Sequence, residues 1–597
     1  MEKSSKKRGQ QERRKRVAAR YYELRDRSER HFVSNFIQRL SNVREVRLWV
    51  IEWALLVLVV FLLAVVQIFW YRDSFETEAY VSGGDISEGV IGEINSMNPL
   101  YATTDAEKTL SKLLFANLVS LDRSGHLKPE LAESVTTDES SKSWTVVLKE
   151  RLKWSDGEPI TADDIIFTFD LINDSSAKTM VSKNFSNVKI ERLDARTVRF
   201  VLPSAYADFM ESLEFPLVPK HVLGDTKPNL IYESKFSTEP VTSGPFVLNV
   251  LQTTNSTNSE KQTIYLTRNE HYFLRPAKLS SFTLRAYDDV DGIVSDLRDS
   301  KITATAALNR ETAASLPDTI KRRTSALNGG VFAFLNLRSE SGVMGKAGVR
   351  RAIQRGVNMA TVRDGLDAQL KLDYPILPNQ FEDLSFPEIP GYDIAEAKKL
   401  LEASGYSFDN DELVDKNGDR VTLKLAVQDR PVIRDSAERF ARELRTLGFD
   451  VAMNKFDESS SASVDFFSAV IKPRDYDILF YEVDLGINVD PFVYYSSTQT
   501  GEKGWNFSEY SNSLVDDALL SARSTSRANL RKNKYETFLK YWLNDVPAIG
   551  IYRSSLDYYF AQNIDIYSEN LQMADALDRF TDVRDWGSAK RRVNLTP

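Results

Sequence analysis

The chain has 597 residues, too many for one hydrophobic core, and its 42% hydrophobic and 27% charged composition, with 24 Tyr and 32 Phe, excludes a mostly disordered polymer. It has no cysteine, which excludes disulfides, thiol nucleophiles, Cys-ligated zinc and a thioether lipid on an N-terminal Cys. Residues 1–47 hold 15 Lys/Arg against 6 Asp/Glu, a net of +9, whereas the whole chain is −8 and the part after residue 71 about −16, which argues against nucleic-acid binding by the bulk of the protein.

The basic arm, residues 1–47, opens with the charge run MEKSSKKRGQQERRKRVAAR, expected to be disordered. Tyr22, Leu24, Phe32, Val33, Phe36, Ile37 and Leu40 then stand among charges, a pattern shared by an amphipathic helix on anionic lipid and by a solvated flank that only sets topology. Leu48–Tyr71 follows, 24 residues broken by only Glu52 and Gln67 as strongly polar positions. At 1.5 Å per residue it spans a hydrocarbon core of ~30 Å, so a transmembrane helix is expected, with Trp49 and Trp53 at one interface and Phe69, Trp70 and Tyr71 at the other. A cleaved signal peptide fits less well, because the apolar run starts late and ends in bulky aromatics. The basic flank places residues 1–47 in the cytoplasm and the rest outside.

Residues 72–86 read as a tether ending in a Gly pair. Beyond it, AEKTLSKLLFANLV carries Leu110, Leu113, Leu114 and Leu118 at helical spacing, and WTVVLKE (Trp144–Glu150) and TVRFVL (Thr197–Leu202) alternate as strands do. VTLKLAV (Val421–Val427), the helical stripe Ala437, Phe440, Ala441, Leu444 and Leu447 ending at Gly448, and FDVAMNKF make a strand, helix, strand unit, the mark of parallel sheet. DKNGDR (Asp415–Arg420) lacks the glycine of a calcium loop and reads as an Asn-Gly turn.

No chemical motif stands out. GVMGKA (Gly342–Ala347) has too few residues for a phosphate-binding loop, GxSxG and GxGxxG are absent, and the four histidines are at least 50 residues apart. The acidic stretch LKWSDGEPITADDIIFTFDL (Leu152–Leu171) reads as scaffold: Thr161 caps a helix, Asp164 completes a capping box, Ile160 and Ile165 form a staple, and SDGE is the turn before them. Paired carboxylates such as Asp163-Asp164, Asp288-Asp289 and Asp516-Asp517 leave a carbohydrate hydrolase as a remote reading.

That same region, from LKPELAESVTTDESSKSWTVVLKE onward, resembles the signature of family 5 extracellular solute-binding proteins, the peptide, oligopeptide and nickel receptors of ABC importers. VTSGPFVL, YLTRNEHYF, GVRRAIQRGVN, AKKLLEASGY and WNFSEYSNSLVDDALLSAR continue the resemblance in order, over about residues 88–565. It implies a bilobal α/β fold with an extra subdomain: lobe one over 87–325 with 553–597 returning to it, lobe two over 326–552, and a ligand enclosed between them. It implies no chemistry and no cofactor, an oligopeptide or similar small solute as ligand, and an ABC permease as partner; the apolar segment 48–71 adds the lipid bilayer.

Peptide-binding relatives carry a Trp-x-x-Asp-x-x-Asp/Glu-Pro segment whose acid holds the peptide α-amino group. Here the comparable stretch is DLGINVDP, with Asp484 at the Trp position and Ile487 at the acidic one. Asp484 or Asp490 is therefore expected to replace that acid, or the ligand has no free N-terminus there. The resemblance also nominates the backbone of Val483 and Leu485 for pairing an extended ligand, with Asn488, Tyr494, Trp505 and Tyr552 as lining. Many relatives hang from a lipidated Cys, which this chain lacks, so a sensor or scaffold acting through the basic arm stands as the alternative function.

Overall fold

The structure, a computed structural model, describes residues 19–20 and 47–594 apart from 182–184, 186, 254–259, 340–341, 382, 429 and 457–465. Two compact units result, Met1–Ala79 with Lys590–Pro597, and Tyr80–Ala589. The basic arm lies almost wholly outside the described residues.

In the first unit a helix runs from Arg47 to Phe75. Its stretch Ile51–Phe69 has a mean hydropathy of 2.6 and no part of it is buried, so its length and composition match a membrane span. The helix extends four residues beyond the expected end at Tyr71. Glu76–Tyr80, expected within a tether, is instead a strand paired with Lys590–Asn594.

The second unit is built on a ten-stranded mixed sheet. Its order is Asp450–Phe456, Thr422–Gln428, Ile478–Asp484, Ile320–Leu335, Ala548–Ala561, Ala304–Thr305, Asp85–Ile91, Ser281–Tyr287, Glu260–Arg268 and Phe246–Thr253. Thr422–Gln428 and Asp450–Phe456 are parallel, as the strand, helix, strand pattern requires, and the connecting helix Pro431–Thr446 buries Ala437, Phe440, Ala441 and Leu444. Gly448 ends that connection at φ 107°, a conformation in which an L side chain is strained.

The two longest strands, Ile320–Leu335 and Ala548–Ala561, pair antiparallel at the middle of the sheet. The two-residue period sends Val331, Ala333 and Leu335 into one apolar core and Phe332 and Phe334 into another, so this strand is buried on both faces. Both cores draw on residues 331–552, whereas a third is built from residues 86–304 and 556–586. The long strands pass from one group to the other, and where they do so their ladder breaks. Ala326 opposes Ser555 and Gly330 opposes Arg553, leaving Leu327, Asn328 and Gly329 as a bulge against Ser554. A side chain at Gly330 would press to 2.8 Å from the Tyr552 carbonyl oxygen, which explains glycine at this crossing.

A smaller antiparallel sheet, in the order Ala132–Thr137, Ser143–Leu148, Thr197–Val201, Lys189–Arg192, carries the helix Ala162–Asn173 on one face through Phe169 against Phe200. The expected capping box is present: the Thr161 N–H donates to Asp164 Oδ2 at 2.8 Å. Asp164 Oδ1 also accepts from Lys220 N–H at 2.9 Å, Asp163 faces Arg192 at 3.2 Å, and Asp156 faces His221 at 2.8 Å. Each of these carboxylates has a structural partner. The helix at 105 stops at Leu114, shorter than its apolar spacing suggested, and Leu118 is buried in the loop beyond it.

Candidate ligand-binding site

The strand Ile478–Asp484 ends in the loop that the sequence marks for ligand contact. Asn336 N–H donates to the Asp477 carbonyl and Leu485 N–H to the Asn328 carbonyl, both at 2.9 Å, and the register between them is unbroken. The odd-numbered residues therefore exchange bonds with Ile320–Leu335, Val483 with Gly330 among them, and the backbone groups of Glu482 and Asp484 turn to the other edge. Thr422–Gln428 pairs with that edge only as far as Phe480. The positions expected to pair an extended ligand, Val483 and Leu485, are thus engaged within the protein, and Gln380 also donates to the Leu485 carbonyl at 2.8 Å. The groups at that other edge belong to Glu482 and Asp484, because one residue along a strand reverses the direction of the backbone donors.

Beyond the strand the chain is held from several sides. Gly486 N–H bonds to Asp484 Oδ1 at 2.8 Å, Asn328 and Gln380 donate to the Gly486 carbonyl, and Tyr494 donates its hydroxyl to the Asp484 carbonyl at 2.8 Å. Gly486 takes φ 71°, which suits a residue without Cβ. Facing this loop is the segment from Tyr206 to Ser212. Between them lies an open cavity of about 310 Å³ lined by Glu211, Asp484, Leu485, Asn488, Asp490 and Tyr494, with Tyr206, Ser212, Gly486 and Val493 completing it. Three carboxylates and no basic side chain line it.

Those carboxylates differ. Asp490 lies 3.1 Å from Arg523, yet burial and the nearby Asp208 push its carboxyl up to about 6. Glu211 Oε1 accepts the Ile487 N–H at 3.3 Å from the opposite wall. Asp484 is exposed. Asp490 thus stands beside Arg523, and it lines the cavity together with Asp484 and Glu211.

The sequence-nominated residues divide accordingly. Asp484, Leu485, Asn488, Asp490 and Tyr494 meet at one cavity, whereas Val483 is buried in the sheet. Tyr552 lines a separate cavity of about 500 Å³ with Arg430, Glu482 and Asp557, and burial beside Glu482 raises its hydroxyl above the usual phenol range. Trp505 is 44% exposed, stands edge-on to Phe507 at 5.9 Å and lines neither cavity.

Residues 126–505 match the family described as bacterial extracellular solute-binding proteins, family 5. The chain belongs to this family. It is 25% identical to the oligopeptide-binding protein AppA of Bacillus subtilis over 503 residues, 81% of this chain and 89% of that one. It is 28% identical to protein XP55 of Streptomyces lividans over 465 residues, 76% of this chain and 80% of the other. Among solved structures, Bacillus subtilis AppA in complex with a nonapeptide superposes with a TM-score of 0.61 at 22% identity, covering 86% of this chain and all of AppA. Campylobacter jejuni NikZ in complex with Ni(L-His) does so with a TM-score of 0.62 at 21% identity, covering 84% of this chain and 99% of NikZ. The mixed α/β fold of this solute-binding family is therefore the fold of this chain.

For a family 5 member, the informative residues missed by the sequence are Tyr206, Glu211 and Ser212. They precede Asp484 by more than 270 residues, in a stretch with neither periodicity nor motif, and only the chain's return through the long strands brings them opposite. The amides of Asn328 and Gln380, which donate to the Gly486 carbonyl, were missed for the same reason.

Proposed function

We propose that this protein is a membrane-anchored extracellular receptor that holds an oligopeptide or a similar small solute between two lobes and delivers it to an ABC permease. The observation that carries this reading is the cavity between Tyr206–Ser212 and Asp484–Tyr494, set where family membership leads one to look for a ligand. Support for two lobes comes from the separate apolar cores and from the bulge at 327–329 where the long strands pass between them. AppA, with its nonapeptide, supports a peptide ligand, and the strand edge beyond Phe480, where the Glu482 backbone turns away from Ile320–Leu335, is a place for one. The carboxylates that line the cavity favour a ligand bearing an ammonium or guanidinium group, since a cation placed there without an acid nearby would be costly to desolvate. The exposed apolar helix supports anchoring, and the basic flank supports a cytoplasmic N-terminus.

The test is a thermal-shift screen of the full chain against pooled peptides of two to ten residues, together with native mass spectrometry for a co-purified ligand. Ligand at ~100 times its Kd stabilises the native state by ~2.7 kcal/mol, a readily measured rise in Tm. No shift with any pool and no bound ligand, in protein that melts cooperatively, would count against the reading.

A further inference from the structure

The walls of the candidate site meet through a set of polar contacts that no ligand is needed to make. On one wall, Ala207 N–H donates to the Arg523 carbonyl at 2.9 Å, so the last residue of the helix Ser513–Arg523 finds a backbone donor across the cleft. Next to it, Asp208 Oδ2 accepts from Arg531 Nη2 at 2.5 Å, and Arg531 comes from the helix Ala528–Asp545. Glu211 adds its bond to Ile487 N–H. Asp208 and Arg531 are 6% and 14% exposed at their side chains. The Arg531 guanidinium also donates to Tyr535 Oη at 3.2 Å and lies 5.8 Å from the Phe381 ring centroid. Tyr535 in turn donates to the Val489 carbonyl at 2.7 Å, inside the ligand-facing loop.

We propose that the Asp208–Arg531 pair is a latch across the cleft, which sets how often the walls part and thereby the affinity and release of whatever ligand lies between them. The proposal rests on the two-lobe reading above. Its physical basis is an asymmetry between the closed and open states. Together the walls bury both charges, which are tolerated there because each neutralises the other. Apart, each charge faces water and needs no partner. Removing only Arg531 strands a buried carboxylate in the closed state alone, whereas its bond to Tyr535 on the same helix is lost in both states, so the balance shifts toward opening. Removing both charges while keeping their volume restores an apolar contact and shifts it back. Asp490 and Arg523 stand beside the pair as a second, neutral couple on the Arg531 wall, with Arg523 stacked on Phe492 at 4.7 Å and on Tyr206 of the opposite wall at 5.2 Å. They keep the surroundings of the latch close to neutral.

Because the chain has no cysteine, spin labels can be placed at will. Glu233 and Lys416, exposed residues on the two sides, are replaced by Cys in the full chain and the inter-label distance is measured without ligand. Arg531→Met is expected to add a longer-distance population at least tenfold larger than in the parent, and Asp208→Leu combined with Arg531→Met to return the distribution to the parent's. Two outcomes overturn the proposal: an unchanged distribution in Arg531→Met, including the case in which the variant only loses thermal stability, or a double variant as open as the single one. Failure of every peptide pool to bind, with the distances responding as stated, would sink the ligand reading and leave the latch standing.

Discussion

Glu211 Oε1 accepts the backbone N–H of Ile487 at 3.3 Å, from the segment that faces the Asp484–Tyr494 loop. Ile487 is the position at which the sequence resemblance leads one to expect an acid, and here a carboxylate reaches it from the facing segment instead. Glu211→Gln keeps an oxygen to accept the Ile487 N–H and removes only the charge. If Glu211 contributes charge to ligand binding, the variant raises the Kd for a peptide with a free N-terminus by about tenfold, ~1.4 kcal/mol, with Tm unchanged. Isothermal titration against the same peptide with an acetylated N-terminus checks the assignment, since that ligand should not distinguish the two proteins.

Buried charge also holds the strand Asp85–Ile91 to the C-terminal part of the chain. Arg579 donates to Glu88 at 2.7 Å with side-chain exposures of 3% and 0%, and Tyr558 donates its hydroxyl to Glu88 at 2.7 Å. Arg579→Met leaves the Glu88 carboxylate uncompensated and is expected to lower unfolding stability by ~3–5 kcal/mol, whereas Tyr558→Phe removes one hydrogen bond to the charge and should cost ~1.5–3 kcal/mol. Urea denaturation of both variants measures the difference, and equal small losses would show that Glu88 finds another partner.

Stability should rise on mild acidification. Burial pushes Asp490 up to about 6 and Glu130 up to about 7, both above their unfolded values. Each group then binds its proton more tightly when folded, so its destabilising contribution is present at pH 7.5 and fades as pH falls through these values toward 4. Glu107 opposes this only at lower pH, because its backbone hydrogen bonds hold its carboxyl below the usual range. A Tm higher at pH 5.5 than at pH 7.5 is expected from scanning calorimetry, and Asp490→Asn should reduce the difference. A Tm that falls steadily over that interval would contradict the assignment.

The apolar helix offers a separate test. Val60, near the middle of Ile51–Phe69, is exposed in an unbroken apolar stretch. Val60→Arg carries a cost of ~2.5–3.5 kcal/mol at a bilayer centre and should shift a large share of the protein out of the carbonate-resistant membrane fraction. Retention equal to the parent would argue that this helix does not anchor the chain.

Much of the architecture was legible because it rests on local rules. The Thr161 and Asp164 capping box, the parallel strands around Pro431–Thr446 and the stop at Gly448 each follow from residues within a few turns of one another. Leu118 was misjudged because apolar spacing continues past a helix end when the following loop is itself buried. Glu76–Tyr80 was missed as a strand because its partner, Lys590–Asn594, lies more than 500 residues away.

The sequence by itself determined the family, the apolar helix and the segment from Asp484 to Tyr494, since composition, periodicity and ordered motifs are properties of the chain before it folds. Only the tertiary structure decided which of those residues face a cavity. The ladder register ties up the backbone of Val483 and Leu485 and turns Glu482 and Asp484 outward, Arg523 pairs with Asp490, and Trp505 and Tyr552 lie away from the site. Tyr206, Glu211 and Ser212 join that cavity because the long strands return the chain opposite them, and a contact between residues hundreds of positions apart leaves no trace in local spacing.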